Sequence, residues 1–109
     1  MGFTKFDKGK PRFDYMATFT RELGGVNDIL KFGAEVKGYG RDNWKEGAAV
    51  EDVARNKDAA VRHAFASIAG ERLDPESKLP HLAHAICDLL FAYWHENNSA
   101  NSEGGVDGI

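Results

Sequence analysis

The chain contains one cysteine, three prolines and no apolar run long enough to span a membrane. A single cysteine, Cys87, excludes an internal disulfide and is typical of proteins from a reducing compartment. A membrane helix needs about 18 consecutive apolar residues, and the first residues lack the apolar block of a secretion signal, so we expect no membrane contact and a cytoplasmic location. The net charge of −3 argues against general nucleic-acid binding, because that needs an excess of Lys and Arg.

The alternation of apolar and polar residues that marks a half-buried strand is also absent, whereas apolar residues recur at helical spacing. The length of 109 residues suits one small domain. We predict a small all-α bundle of three to four helices within a single domain over residues 1–96, with an extended basic arm at its start and a disordered tail over 97–109. Because so small a domain buries little surface, we also expect a homo-oligomer.

Glycine marks the ends of the predicted helices, because it readily adopts the left-handed conformation in which helices stop. The helices are predicted over about 13–23, 26–37 and 50–69, and a fourth begins near Leu79 and Pro80. Gly24 and Gly25 separate the first two helices in this prediction. The residues expected on inward faces are Val26, Ile29, Leu30, Gly33 and Val36 in the second helix, and Val53, Ala54, Val61, Ala64, Phe65 and Ile68 in the third.

The fourth helix carries the clearest candidate site. At helical spacing His81, His84 and Asp88 fall within an arc of roughly 60°. The opposite side carries an apolar stripe that we expect to pack in the core, namely Leu82, Ile86, Leu89, Leu90 and Tyr93. Two imidazoles and a carboxylate on one face can bind a metal, a phosphate or a reacting water. The alternative is a solvated polar face with an ordinary His–Asp hydrogen bond.

Two further helices carry polar residues that can join this face. His63 follows Arg62 on the third helix, and both approach the fourth helix if the two pack antiparallel. Glu35 lies on the second helix, where it can supply an oxygen ligand for Mg²⁺ or belong to a solvated stripe. The alternative for His63 is a satisfied hydrogen bond at the edge of the core.

Basic and aromatic residues complete the candidate nucleotide site. Lys8, Lys10 and Arg12 form a short cationic cluster, which can bind phosphate or simply aid solubility. Tyr39 and Trp44 can stack on a base. The glycines do not follow the spacing of a Walker-type phosphate loop.

Several strings of the sequence occur in the order known from one family. They are Lys-Phe-Asp-Lys-Gly-Lys-Pro-Arg at 5–12, Phe-Gly-Ala-Glu at 32–35, Tyr-Gly at 39–40, Asn-Trp at 43–44, Arg-His at 62–63, Asp-Pro-Glu-Ser at 74–77 and Leu-Pro-His-Leu-Ala-His-Ala at 79–85. From about Lys5 to Trp94 the chain resembles a phage and prophage family, the N-terminal domain of dATP/dGTP diphosphohydrolases. The resemblance implies an all-α fold of the kind seen in MazG-like nucleoside triphosphate pyrophosphohydrolases, and the host cytoplasm as location. The paired acidic motifs of MazG-type enzymes are replaced here by mixed histidines and carboxylates.

The resemblance further implies hydrolysis of a purine deoxynucleoside triphosphate to the monophosphate and pyrophosphate with Mg²⁺ or Mn²⁺. The expected roles are metal binding for Glu35, His84 and Asp88, water positioning for His63 or His81, and substrate binding for Lys8, Lys10, Arg12, Tyr39, Asn43, Trp44 and Arg62. The alternative function is a non-catalytic phage-type protein that binds a nucleotide or a host protein.

Overall fold

A computed structural model describes Gly9 and residues 13–38, 40–46 and 49–102, without the side chains at 43, 49–50 and 99–102. Within these residues the chain is helical and has no strand, apart from one isolated antiparallel bridge between Leu73 and Pro80. The all-α prediction is confirmed. The three α-helices are α1 over Thr20–Lys31, α2 over Ala49–Ile68 and α3 over His81–Ser102.

The N-terminal half departs from the predicted pair of helices. A 3₁₀ segment over Phe13–Phe19 leads into α1, which runs through Gly24 and Gly25 without a break and continues as a π-helical turn over Phe32–Val36. The predicted interruption at these glycines is therefore wrong. Gly25 faces α3, and a Cβ built on it would lie in ordinary van der Waals contact with the Cβ of Ala83, at 3.9 Å.

Glycine does end the helical region where predicted. Gly38 and Gly40 have φ angles of +77° and +90°, and Gly70, after α2, has a φ of +105°. These left-handed conformations suit glycine because other residues have a Cβ that clashes there. The inward position predicted for Val36 is wrong. This residue lies in the π-helical turn after α1, and its side chain is 72% exposed.

Helices α2 and α3 form an antiparallel pair. Lys57 pairs with Glu96 near one end, and His63 contacts His81 near the other. A short connector joins the helices and begins α3 one residue after Pro80, as the sequence predicts. The far end of α3 reaches Ser102, past the position 97 at which the sequence places the start of a tail.

The faces of these two helices are reversed relative to the prediction. Helix α3 turns its polar and small residues inward, so that the buried set is His81, Ala83, Ala85, Cys87, Ala92 and His95. The stripe expected in the core is exposed by 44–62%, and its members are Leu82, Ile86, Leu89, Leu90 and Tyr93. Small residues at the contact allow close helix approach, and hydrogen bonds from neighbouring elements satisfy the buried imidazoles.

Helix α2 shows the same reversal. Its buried positions are Asp52 and Ala60, whereas Ala54, Val61, Phe65 and Ile68, all predicted to face inward, are exposed. The periodicity therefore assigned four of the six predicted inward residues to the wrong side of α2, whereas Val53 and Ala64 are half-buried.

The buried apolar cluster lies between α1 and α3. Val26 and Ile29 of α1 meet Ala83 and Cys87 of α3, and Phe91 packs against them. Cys87 is 1% exposed and acts as the small core residue that the sequence predicts. Burial raises the pKa of its thiol to about 12, with the nearby Asp88 acting in the same direction. Among the described residues, no helix combines the length and apolarity needed to cross a membrane.

Candidate functional site

A cleft of about 340 Å³ opens between α1, the loop after it and the paired helices. It is lined by His63 of α2 and by both His84 and Asp88 of α3. Lys37 and Arg41, from the segment that follows α1, also line it. The volume lies within the range of about 300–1,000 Å³ typical of small-ligand sites, and the cleft combines cations, imidazoles and a carboxylate.

Three histidines meet at one end of this cleft. The rings of His63 and His84 stack at a centroid distance of 4.6 Å and an interplanar angle of 11°. His63 Nδ1 lies 2.8 Å from His81 Nδ1, and His81 Nε2 lies 2.7 Å from Glu71 Oε1. The antiparallel arrangement of α2 and α3 thus brings His63 next to His81, which lies 18 positions further along the chain.

Burial keeps two of these imidazoles neutral. Burial lowers the pKa of His63, and the neighbouring His84 and His81 lower it further, against an opposing effect of Asp74. The pKa of His84 is also lowered by burial, although the Asp74 charge opposes the change. Neutral rings at neutral pH keep a nitrogen lone pair that can accept a proton or bind a metal.

The connector between α2 and α3 fixes the carboxylate beside the histidines. Asp74 Oδ2 accepts hydrogen bonds from the backbone N–H groups of Ser77, at 2.8 Å, and Glu76, at 3.1 Å. Burial alone raises the Asp74 pKa, but these hydrogen bonds and the charge of His84 lower it overall. The Ser77 hydroxyl in turn lies 2.7 Å from His84 Nε2, so the same turn also orients that ring.

Asp88 is a largely desolvated carboxylate on the wall of the cleft. Burial raises its pKa to about 6, and the opposing charge of Arg62 limits that rise. Arg62, assigned to substrate from the sequence, is exposed on α2. A carboxylate held out of water without a strong counterion gains most from a cation that arrives with a ligand.

Two stacked aromatic residues, Trp44 and Phe91, form an aromatic wall of the cleft. Trp44 stacks on Phe91 at 4.8 Å and meets Trp94 edge-on at 5.0 Å. His95, which is 2% exposed, donates from Nε2 to the Trp44 carbonyl at 2.9 Å and so anchors the loop to α3. Trp44 therefore has one face engaged by Phe91 while the residue still lines the cleft.

The predicted site residues have different positions relative to this cleft. His63, His84, Asp88 and Trp44 line it. His81 is 4% exposed and contacts His63 from behind. Glu35 is exposed and lines a neighbouring depression with Arg41 and Trp44. Five predicted substrate-binding side chains lie outside the part of the chain that the structure describes, namely those of Lys8, Lys10, Arg12, Tyr39 and Asn43.

Sequence reasoning missed two cations and one hydrogen bond made by a carboxylate. Lys37 and Arg41 line the cleft, and Lys37 also pairs with Glu76 at 3.1 Å. Both flank the Gly-Tyr-Gly turn, and their proximity to that turn was the available signal. Glu71 follows directly after the glycine that ends α2, and only the folded connector reveals its hydrogen bond to His81.

The fold and cleft define a small all-α protein with a histidine- and carboxylate-lined site. The family model described as dATP/dGTP diphosphohydrolase, N-terminal, matches residues 3–104, and the chain belongs to this family. A protein of Salmonella phage PMBT28 named dATP/dGTP diphosphohydrolase is 37% identical over 100 residues, which cover 91% of this chain and 31% of that protein. The chain thus spans about a third of the relative's length. No solved structure was found to match it.

Proposed function

We propose that this domain hydrolyses a purine deoxynucleoside triphosphate to the monophosphate and pyrophosphate with a divalent ion. The observation that carries the proposal is that Lys37 and Arg41 line the same cleft as Asp88, His63 and His84. Cations bind phosphate oxygens, while a carboxylate and imidazoles suit metal binding and proton transfer. Membership of the family and the name of the phage relative support the same reaction and substrate class.

The nucleotide would lie along the cleft with its two ends in different environments. The aromatic wall of Trp44 and Phe91 provides apolar surface for the purine. Lys37 and Arg41 would hold the phosphates, and the substrate role predicted for Arg62 remains a prediction. Since the Lys37 ammonium already pairs with Glu76, bound phosphate would compete with that carboxylate for it.

The residues of the cleft suit a Mg²⁺ or Mn²⁺ ion bound together with the triphosphate. Mg²⁺ is commonly held by one or two carboxylates plus substrate oxygens, and Asp88 offers such a carboxylate. The His84 nitrogen suits Mn²⁺ better than Mg²⁺. Glu35, the third predicted ligand, lines the neighbouring depression. The ion, when bound, would neutralise phosphate charge and make an attacking water more acidic.

The two histidines predicted to position water differ in their access to the cleft. His63 lines it, so its ring can hold a water near the phosphates. His81 is buried behind His63 and reaches the cleft only through the hydrogen bond between the two Nδ1 atoms. We therefore assign His63 to the water and His81 to the positioning of His63.

We also propose that the chain forms a homo-oligomer. The exposed apolar residues of α2, Val61, Phe65 and Ile68, share one side of that helix, and α3 carries its own uncovered stripe. Large exposed apolar patches commonly mark protein contacts. A second copy that covered either stripe would bury the surface that the protomer alone leaves in water.

Turnover assays with the four deoxynucleoside triphosphates test the reaction directly. With Mg²⁺ or Mn²⁺ we expect pyrophosphate and monophosphate from a purine substrate. The Asp88→Asn variant should lose about a hundredfold or more in kcat because the cation loses its carboxylate. Asp28→Asn, at an exposed position on α1, is the matched control and should retain activity. Calorimetric binding of nucleotide without product from any substrate would contradict the proposal and favour a non-catalytic binder.

A further inference from the structure

Three ligand-bearing side chains from separate elements converge beside the cleft. His63 of α2, Asp74 of the connector and His81 of α3 each offer one ligand atom, and these atoms lie within 4.8 Å of one another. We propose that this cluster binds a transition-metal ion of the Zn²⁺ class. The site differs from the metal set predicted from sequence, and the inference concerns metal binding alone, independent of the proposed reaction.

The buried histidine is oriented as in many metal sites. Glu71 Oε1 lies 2.7 Å from His81 Nε2, and because a carboxylate only accepts, Nε2 carries the proton. The lone pair of His81 is then on Nδ1, which points toward His63. Metal-binding histidines typically donate their second ring nitrogen to a carboxylate in this way, which fixes the tautomer and makes the other nitrogen a better ligand.

The facing imidazoles are spaced closely enough to share one ion. Their Nδ1 atoms are 2.8 Å apart, and without an ion one of them must donate a proton to the other. Two nitrogens bound at about 2.05 Å to a tetrahedral ion are about 3.3 Å apart, so small rotations of the two rings suffice. The ion would take the place of the shared proton on His63 Nδ1, and the neutral ring would then carry its proton on Nε2.

The third ligand is held in place before any ion binds. The backbone hydrogen bonds described for Asp74 both reach Oδ2, and they fix the carboxylate at the start of a tight turn. Three protein ligands leave a tetrahedral ion one open position. His63 and Asp74 both line the cleft, so this position would face the space where a ligand enters.

The ligand set also selects the kind of ion. Two nitrogens and one oxygen suit Zn²⁺ and similar ions, whereas Mg²⁺ prefers oxygen ligands. His84 stacks on His63 but is hydrogen-bonded to the Ser77 hydroxyl through Nε2, so it supports the cluster from outside. The site therefore predicts a strong preference for Zn²⁺ over Mg²⁺ in the absence of nucleotide.

Calorimetry on the tag-free chain, with Zn²⁺ alone and with Mg²⁺ alone, tests the proposal. We expect one Zn²⁺ per chain and much weaker Mg²⁺ binding. His63→Ala should weaken Zn²⁺ binding about a hundredfold or more, and Glu71→Gln about tenfold because it removes only the supporting acceptor. Glu22→Gln, at an exposed position on α1 outside the cluster, should bind Zn²⁺ like the unmodified chain.

A second measurement uses the unmodified chain and therefore does not depend on the variants folding. Nitrogen NMR of the imidazole rings should show that Zn²⁺ shifts the signals of His63 and His81, while His95, held by the Trp44 carbonyl, keeps its own. Absence of Zn²⁺ binding, equal affinity for Mg²⁺, or Zn²⁺ shifts that spare His63 and His81 would each overturn the proposal. These results would leave the turnover proposal to its own assay, because no nucleotide is present.

Discussion

At the scale of single residues, burial decides the chemistry of the site. The pKa of Asp88 rises to about 6 because the protein removes water from its carboxylate. His63 and His84 shift in the direction that keeps them uncharged, for the same reason. The pKa of Asp74 is lowered, in contrast to that of Asp88, because backbone N–H groups stabilise its charge. A carboxylate that is costly to ionise in the empty protein is prepared for a cation.

The raised pKa of Asp88 predicts a stability change with pH. Between its ordinary value of 3.8 and about 6, the folded chain holds the proton and the unfolded chain releases it, so rising pH destabilises the fold. In the presence of a chelator, Asp88→Asn should therefore be more stable than the unmodified chain at pH 7.5, by about 1–2 kcal/mol after allowance for solvent screening. The difference should disappear near pH 4.

Urea unfolding of both proteins across this pH range measures the effect. Asp28→Asn, at an exposed position, controls for the loss of one negative charge. At each pH the free energy of unfolding of Asp88→Asn is compared with that of the unmodified chain. If the variant gained no stability over the unmodified chain between pH 4 and pH 7.5, the desolvation of this carboxylate would be contradicted.

At the scale of elements, the glycines have two different roles. Gly38, Gly40 and Gly70 adopt left-handed backbone conformations after helical segments. Gly24 and Gly25 lie inside α1, where Gly25 faces Ala83 of α3. The sequence alone does not distinguish the roles, because a glycine pair weakens a helix without necessarily ending it. Packing against α3 keeps α1 continuous.

Two alanine substitutions separate these roles. Gly24 lies in α1 with open space around its missing Cβ, so Gly24→Ala should stabilise the fold by about 0.5–1 kcal/mol through a less flexible unfolded chain. Gly38 also has open space but a φ of +77°, so Gly38→Ala should destabilise by about 1 kcal/mol. Thermal and urea unfolding measure both. If Gly24→Ala lowered the free energy of unfolding as Gly38→Ala does, the continuity of α1 through Gly24 would be contradicted.

At the scale of the whole molecule, the protomer leaves much of its aliphatic surface in water. Phe65 and Ile68 of α2 are 66% and 79% exposed, and Leu82 of α3 is 57% exposed. The buried core is correspondingly small and rests on residues such as Val26 and Cys87. A chain of this size gains stability most readily by burying such stripes against another copy.

The proposed oligomer is tested by sedimentation and light scattering over a range of concentrations. We expect a species larger than the protomer, with Phe65→Glu raising the dissociation constant about tenfold or more because a charge replaces buried apolar area. Val36→Glu alters another exposed apolar residue, outside both stripes, and should leave the assembly unchanged. A chain that remains monomeric at the highest concentrations would rule out self-association through either stripe.

The sequence by itself determined the helical class, the bounds of α2 and the start of α3. These features depend on local backbone preferences and on periodicity, which are written in neighbouring residues. It also predicted His63, His84 and Asp88 as site residues, and these three line the cleft. The family followed from ordered strings of residues, and the family model that matches residues 3–104 confirms it.

The tertiary structure decided which face of each helix is buried. Periodicity shows that α3 has one polar and one apolar face, but His81 can be buried only because Glu71 and His63 supply its hydrogen bonds. Those partners come from other elements, and no local pattern in α3 announces them. Asp74 meets His63 and His81 for the same reason, because satisfaction of buried polar groups is a property of the assembled elements.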